Sequence, residues 1–273
     1  MNIPEKLKSR FGIHDNLAKC ILCEFFCTAL LVFAGTSTSA QHTLSKGTQG
    51  SWTEISFGWG FSVMLAIYAG FNISGSHLNP AVSLFLCTLG RLSWHRCILY
   101  SISQILGAFI GSFFTWILYY DALNAYDGGL RVVAGDRGTG GIFCTYPHDF
   151  LSIAGGIADQ VIGTAYLCIC ISIITDKHNK IPNFIQPFLL GLVIVQVGIS
   201  IGMNGYAINT ARDLGPRLFT LVAGWGTETF SYNNYKWFWI PTFCPLVGGV
   251  IGAWIYQLFL GNQSFLKLLK ALS

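Results

Sequence analysis

Two asparagine triplets hold the side chains best suited to chemistry in this sequence, Asn79-Pro80-Ala81 and Asn209-Thr210-Ala211. Asparagine is a favourable helix N-cap, and a proline directly after it suits the first turn because its missing N–H would be unpaired there. Residues 70–78 and 202–208, which precede the triplets, contain glycine and other turn-forming residues and are poor continuous helices. Each triplet therefore predicts a helix that begins at its asparagine.

The composition places these triplets in a membrane protein. Hydrophobic residues make up 52% of the 273 positions, charged residues only 10%, and the mean hydropathy is +0.54. A soluble domain carries about 25% charged residues, so this chain has too little polar surface for water and must be surrounded by lipid. The net charge is only +4, and no basic stripe is interleaved with aromatic residues, which argues against a nucleic-acid partner.

Six segments are long and apolar enough to cross a bilayer, because a helix of about 20 residues spans about 30 Å of hydrocarbon. The predicted spans are residues 18–40, 53–73, 97–119, 152–175, 185–203 and 237–260. Two runs without a charged residue, 55–90 and 181–211, are longer than one crossing requires. We therefore predict an all-α membrane protein with six transmembrane helices and two re-entrant half-helices, which start at the triplets.

The two halves of the chain resemble each other. Gly75 and Gly205 each stand four positions before the asparagine of their triplet, and Glu24 and Gln160 each stand four positions before a threonine. Each copy has an odd number of full crossings, so the second copy must be inverted. The half-helices then enter from opposite faces and meet near the midplane, where two N-termini of about +0.5 charge each would disfavour cations and leave amide donors for neutral oxygens.

The predicted organisation has three parts: an N-terminal segment 1–19, a single membrane domain 20–260 and a C-terminal tail 261–273. Within the domain, repeat one covers about 20–120, repeat two covers about 152–260, and loop 121–151 joins them. With both termini in the cytoplasm, the inner side carries the basic residues Lys6, Lys8, Arg10, Lys19, Arg91, Arg96, Lys177, Lys180, Lys267 and Lys270. The outer side carries Lys46, Arg131, Arg137, Arg212, Arg217 and Lys236. An excess of Lys and Arg on the cytoplasmic side is the usual pattern.

Paired Asn-Pro-Ala-type boxes on inverted repeats resemble the aquaporin family, over about residues 18–260. Asp213 directly after Arg212, Arg217 five positions beyond it, and Pro245-Leu246 in the last helix are similar to the glycerol-conducting aquaglyceroporins of animals. The resemblance implies the aquaporin fold and a passive channel for glycerol, water and other small neutral solutes that excludes ions and protons. It also implies a homotetramer in lipid, in the plasma membrane. No cofactor, metal site or catalytic residue is expected.

By this resemblance, the pore selectivity filter consists of Trp59, Tyr206, Arg212 and Gly198. Arg212 lies one turn from Asn209 on the same helical face, and an intramembrane arginine costs about 2.5–3.5 kcal/mol unless it has a role. We expect it to donate to solute hydroxyls and repel cations, whereas an arginine that extends to the membrane surface is an alternative that fits Arg217 better. Two aromatic walls and one arginine suit a carbon chain with hydroxyls along one edge. Gly198 replaces the histidine of water-selective members and should widen the ring.

Four further residues are expected to support the pore: Glu24, Gln160, His77 and Asp213. Glu24 and Gln160 should accept or bridge hydrogen bonds from the irregular loops, because an unpaired buried carboxylate is costly. His77 should bond the inner loop, and a pH-dependent shift of that loop is the alternative. Asp213 belongs to the aquaglyceroporin signature.

Three features depart from the family pattern. Thr210 stands where the second box usually has proline, the loop from Gly198 to Tyr206 is one residue shorter than usual, and Trp59 is more familiar in bacterial glycerol facilitators. A closed-pore structural protein therefore remains an alternative. A secondary transporter, which also uses inverted repeats, is another. An enzyme is not expected, since the sequence has no nucleophile–base set and no phosphate-binding glycine loop.

Overall fold

The computed structural model describes residues 12–261, and the regular elements in this range are helical. In chain order the α-helices are α1 (Asn16–Leu44), α2 (Trp52–Gly70), α3 (Pro80–Thr88), α4 (Trp94–Leu118), α5 (Tyr120–Asp127), α6 (Ile153–Thr175), α7 (Gln186–Ser200), α8 (Thr210–Val222), α9 (Glu228–Ser231) and α10 (Trp239–Tyr256). A π-helical turn, Gln257–Gly261, continues α10. The predicted all-α fold with two half-helices, α3 and α8, is confirmed.

Polar caps fix where the long helices begin. The capping residues are Asp15 before α1, Ser51 before α2, Ser93 before α4 and Ser152 before α6. Each side chain accepts backbone N–H groups that the first turn leaves unpaired, and Glu54 completes a capping box with Ser51. The helices α1, α2, α4 and α6 therefore begin at a polar cap, whereas α7 and α10 begin without a side-chain cap hydrogen bond.

Within residues 12–261, four helices are long and apolar enough by themselves to cross a membrane: Asn16–Leu44, Trp94–Leu118, Ile153–Thr175 and Trp239–Gly261. α2 has 19 residues and α7 has 15, and a helix of 15 residues spans only about 22 Å. Both shorter helices lead into an irregular stretch before a half-helix, which lengthens their path across the bilayer. Large apolar side chains such as Phe26 and Leu106 are exposed on the long helices, as lipid contact requires. The chain is an integral multi-pass membrane protein.

Glycines let the two repeats pack with matching geometry. A Cβ at Gly107 of α4 would collide with a backbone carbonyl of α1, and a Cβ at Gly248 of α10 would collide with a backbone carbonyl of α6. Between the repeats, a Cβ on Gly60 of α2 would lie 2.7 Å from the carbonyl oxygen of Gly191 on α7, and the reverse distance is 2.8 Å. Such close backbone contact is typical of helix packing in lipid, where apolar burial gives little driving force.

The connection between the repeats contains structure that the sequence did not reveal. α5 directly follows α4, and a buried ion pair fixes the chain after it: Arg131 Nη1 donates to Asp127 Oδ1 at 2.9 Å. The Arg131 guanidinium also lies 5.5 Å from the Trp225 ring centroid, which ties this connection to the segment after α8. Residues 121–151 therefore contain regular structure and are held by tertiary contacts.

The helix boundaries differ from the predicted spans by a few residues. α1 ends at Leu44 rather than at residue 40, and α7 ends at Ser200 rather than at residue 203. Most of the predicted terminal segments, residues 1–11 and 262–273, lie outside the described residues.

Candidate pore and selectivity filter

Each half-helix begins at the asparagine of its triplet. Asn79 caps α3 with backbone angles φ −154° and ψ 121°, and Asn209 caps α8 with φ −150° and ψ 110°. In both, the side-chain Oδ1 accepts the N–H two positions later at 2.9 Å. This leaves the amide nitrogen, with two N–H donors, free to point away from the helix.

The two asparagine amides reach across to each other's loop. Asn79 Nδ2 donates to the carbonyl of Ile208 at 2.9 Å, and Asn209 Nδ2 donates to the carbonyl of Leu78 at 2.9 Å. Each acceptor is the residue directly before the opposite asparagine. The half-helix N-termini of the two repeats therefore meet, and each amide keeps a second N–H for another acceptor.

A cavity of about 290 Å³ passes both asparagines. One wall is apolar and comes from the full-length helices, with Leu31, Val63, Ile67, Leu167, Ile171, Leu190 and Ile194. The other wall comes from the irregular stretches 75–78 and 206–208. Trp59 and Arg212 are in contact, and Phe71 follows Trp59 by twelve residues, about 18 Å, along α2. We call the part of the cavity at Trp59 and Arg212 the filter end, and the part at Phe71 and Arg91 the Arg91 end. The cavity lining therefore combines apolar side chains of the full-length helices with the irregular stretches.

The backbone of the two irregular stretches follows the same pattern. Positive φ angles occur at Gly75, Ser76 and Leu78 in the first stretch and at the matching positions, Gly205, Tyr206 and Ile208, in the second. A positive φ at a residue other than glycine costs about 1–3 kcal/mol and persists only where surrounding structure holds it. Backbone handedness alternates over residues 76–78 and 206–208, and such alternation turns successive N–H groups toward one side.

Glu24 gathers the N–H groups of the first stretch. Its carboxylate is fully buried and accepts the N–H of His77 and the N–H of Leu78, both at 2.9 Å. Ser74 Oγ donates to it at 2.5 Å and Gln104 Nε2 at 2.8 Å. Four donors satisfy a charge that would otherwise be prohibitively costly to bury. The N–H groups of His77 and Leu78 therefore face Glu24, and the Leu78 carbonyl faces the Asn209 amide.

Gln160 has the matching role in the second repeat. Its Oε1 accepts the N–H of Ile208 at 2.9 Å, and its Nε2 donates to Asp159 Oδ2 at 2.8 Å. The two repeats thus hold their irregular stretches from matching positions but with different groups. Repeat one uses the Glu24 carboxylate with four donors, and repeat two uses the Gln160 amide, which the neighbouring Asp159 carboxylate orients.

Arg212 and Trp59 are stacked at the filter end. The guanidinium carbon of Arg212 lies 4.1 Å from the Trp59 ring centroid, and its Nη1 donates to the carbonyl of Phe143 at 2.8 Å. Trp59 Nε1 donates to Ser39 Oγ at 3.2 Å, which fixes the ring plane. The guanidinium is therefore held against the Trp59 ring, with further N–H donors left for a solute.

Gly198 makes room for Tyr206 and does not itself line the cavity. A Cβ on Gly198 would lie 2.6 Å from Ser56 Oγ and 3.1 Å from Tyr206 Cζ, so Ser56 and the tyrosine ring together occupy the space that a side chain at position 198 would fill. Trp52 packs edge-on against this ring, with centroids 5.8 Å apart, and its Nε1 donates to the carbonyl of Gly198 at 2.8 Å. Tyr206 therefore forms a second aromatic wall beside Gly198, the position expected to widen the filter.

A buried ion pair lies behind the filter. Arg217 Nε donates to Asp213 Oδ1 at 2.8 Å, and both side chains are fully buried. Asp213 Oδ2 accepts the N–H of Thr145 at 2.8 Å and its hydroxyl at 2.5 Å, while Arg217 Nη2 donates to the Thr145 carbonyl at 2.6 Å. The interpretation of Arg217 as an arginine that extends to the membrane surface is wrong. The pair clamps the segment whose Phe143 carbonyl holds Arg212.

Polar groups also fix the Arg91 end of the cavity. His77 lines the cavity, its Nδ1 lies 3.1 Å from Ser83 Oγ, and its ring packs edge-on against Tyr100. Beyond the helix ends, Asp176 accepts the hydroxyl of Tyr256 at 2.7 Å and a backbone N–H at 2.9 Å. These hydrogen bonds, that of Tyr256 first, lower the pKa of Asp176 from 3.8 to about 2. This carboxylate therefore stays ionised at physiological pH.

Comparison with known proteins assigns the family. A family model described as Major intrinsic protein matches residues 13–256, which include both asparagine boxes and every filter residue. The chain belongs to the major intrinsic protein family. Major intrinsic proteins of this kind are channels, so the chain is not an enzyme.

Relatives of this major intrinsic protein carry aquaporin names. The chain is 41% identical over 258 residues to Aquaporin-9 of Mus musculus, covering 94% of this chain and 87% of that protein. It is 42% identical over 257 residues to Aquaporin-10 of Homo sapiens, covering 93% and 85%. Among solved structures it resembles the aquaglyceroporin from Plasmodium falciparum, with a TM-score of 0.81, 29% identity, and coverage of 92% of this chain and 99% of that one.

Proposed function

We propose that this protein is a passive channel for glycerol and water that excludes ions and protons. The observation that carries the proposal is the meeting of the two asparagine amides on one cavity, which continues to an arginine stacked on tryptophan. The aquaporin and aquaglyceroporin names of its relatives support this choice of permeants.

Glycerol fits the two-sided wall of this pore. Its carbon chain contacts the apolar faces of the full-length helices, while its hydroxyls meet loop carbonyls and amide donors on the opposite wall. At the filter, Trp59 and Tyr206 contact the carbon edge and Arg212 donates to the hydroxyls. Small neutral solutes of similar cross-section pass by the same contacts, and water passes through the same hydrogen-bonding groups.

Three positive features oppose cations. The two half-helix N-termini each present an effective charge of about +0.5 at the centre, and Arg212 adds a full charge at the filter. A water at the centre that accepts hydrogen bonds from both asparagines is oriented against a continuous proton wire.

The proposed setting follows from the charge pattern and the family. Both termini face the cytoplasm, so the Arg91 end of the cavity opens inward and the filter end opens outward. The protein assembles as a homotetramer in lipid, and the plasma membrane is its location. Each subunit contains its own pore, because all the groups that form the cavity belong to one chain.

Stopped-flow light scattering of proteoliposomes in a glycerol gradient tests the proposal. Vesicles that contain the protein should take up glycerol faster than protein-free vesicles. Arg212→Ala and Trp59→Ala should both slow glycerol entry, because each variant removes one side of the filter. Equal rates in empty and loaded vesicles would favour a closed-pore protein. A saturable rate that responds to an ion gradient in a counterflow assay would favour a secondary transporter.

A further inference from the structure

The second box contains threonine where the first contains proline. Pro80 has a fixed φ and no N–H, which suits the first turn of α3. Thr210 supplies neither property, yet the cap angles of Asn209 and Asn79 differ by only a few degrees in φ. Another interaction must therefore hold the start of α8.

Thr210 forms a hydrogen bond that proline could not form. Its hydroxyl donates to the carbonyl of Thr242 on α10 at 2.8 Å, and its side chain is 5% exposed. As a β-branched residue it has few χ1 rotamers in a helix, so little freedom is lost when the bond forms. Thr210 does not line the cavity, so it cannot act on a permeant directly.

The same helix also contacts the first box. A Cβ on Gly249 of α10 would lie 2.9 Å from the carbonyl oxygen of Ala81. Gly249 and Thr242 are seven positions apart, which puts them on one helical face about 10 Å apart along the axis. One face of α10 therefore contacts both boxes, the first by close backbone approach and the second through the Thr210 hydroxyl.

We propose that Thr210 is a positioning residue whose bond to the Thr242 carbonyl replaces the proline of the second box and fixes the axial position of the Asn209 amide. The hydroxyl keeps Asn209 Nδ2 within reach of the Leu78 carbonyl, so that the two amides stay paired across the pore. The expected effect of Thr210 on glycerol flux rests on the proposed channel function. Its expected effect on the position of α8 is independent of that function.

Four variants at position 210 and one control test the role of the hydroxyl. Thr210→Val and Thr210→Ala lack it, Thr210→Ser keeps it, and Thr210→Pro restores the residue of the first box. The control, Thr88→Val, removes a hydroxyl at the end of the other half-helix that bonds only within its own helix. Two measurements are made on each protein: glycerol permeability in proteoliposomes and amide hydrogen exchange of residues 209–213 in micelles.

The valine and alanine variants should lose glycerol permeability about fivefold. One neutral hydrogen bond changes an equilibrium by about this factor, here the equilibrium between the positioned and the displaced Asn209 amide. Their amides at 211 and 212, which bond to Asn209 Oδ1, should exchange faster by a similar factor. Serine, proline and the control should match the wild type. Wild-type values for valine and alanine in both measurements would overturn the proposal, as would serine behaving like valine. If the wild type conducts no glycerol, the channel function fails, and hydrogen exchange alone still decides whether Thr210 positions α8.

Discussion

Arg212 contributes both its charge and its planar shape to the filter. Arg212→Lys keeps the charge but removes the planar guanidinium that contacts Trp59 and donates to the Phe143 carbonyl. We therefore expect glycerol permeability to fall while cation leak stays at background. Arg212→Ala should raise the leak. Planar-bilayer conductance and stopped-flow permeability on the same preparations separate the two effects, and a lysine variant with wild-type glycerol flux would contradict the geometric role.

Glu24 is the residue on which the first irregular stretch depends most. Glu24→Gln replaces one acceptor oxygen by an N–H donor, so two of the four donors around it lose their partner. Each unpaired buried donor costs about 1–3 kcal/mol, so the thermal unfolding midpoint should drop by many degrees. Glu54→Gln, in an exposed capping box, is the matched control and should change it little. Similar midpoints for the two variants would show that the carboxylate is not needed.

Single residues could be predicted from the sequence only where a side chain carries the chemistry. The two asparagines and Arg212 were recognisable by type and spacing. Phe143 and Thr145 were not, because they act through backbone groups of a long connection whose conformation no local pattern specifies. Gly198 is assigned by resemblance, but the Ser56 and Tyr206 side chains that fill the space beside it are seen only in the structure.

At the level of elements, helix pairs depend on glycines that allow backbone contact. Gly248→Ala would place a methyl group into a carbonyl of α6, so the helices must separate. Overpacking of this kind costs about 1–3 kcal/mol. Gly141→Ala is the control, because no atom lies within 4 Å of its Cβ position. Thermal unfolding in detergent should show a lower midpoint for the first variant alone, and equal midpoints would contradict the packing argument.

Element type and order followed from hydropathy and caps, but element length did not. Six spans and two half-helices were predictable because lipid forbids unpaired backbone groups outside helices or a lined cavity. α5 is not predicted from the sequence, because it is a short helix with low hydrophobicity, it leads into a glycine-rich connection, and it is held by tertiary contacts such as the Arg131–Asp127 ion pair. Local sequence propensity therefore does not predict the conformation of this connection, because residues distant in sequence, such as Trp225 beside Arg131, hold it.

For the whole molecule, the buried pair Asp213 and Arg217 couples the outer connection to the filter. Both side chains are fully buried, and the pair holds Thr145, whose segment in turn holds Arg212. Asp213→Asn leaves the Arg217 charge without its counter-ion, so unfolding free energy should fall by about 3–5 kcal/mol. Tryptophan fluorescence during thermal or denaturant unfolding measures this loss.

The double variant Asp213→Leu with Arg217→Met separates stability from alignment of the filter. Removing both charges together avoids the unpaired ion, and a buried pair replaced by apolar residues of similar volume is often neutral or stabilising. The double variant should therefore be more stable than Asp213→Asn. It should stay below the wild type, because the Thr145 N–H and hydroxyl lose their acceptor. The Phe143 carbonyl is then no longer held against Arg212, so glycerol permeability should stay low despite the gain in stability. Recovery of wild-type permeability together with stability would show that the pair only anchors the fold and does not position the filter.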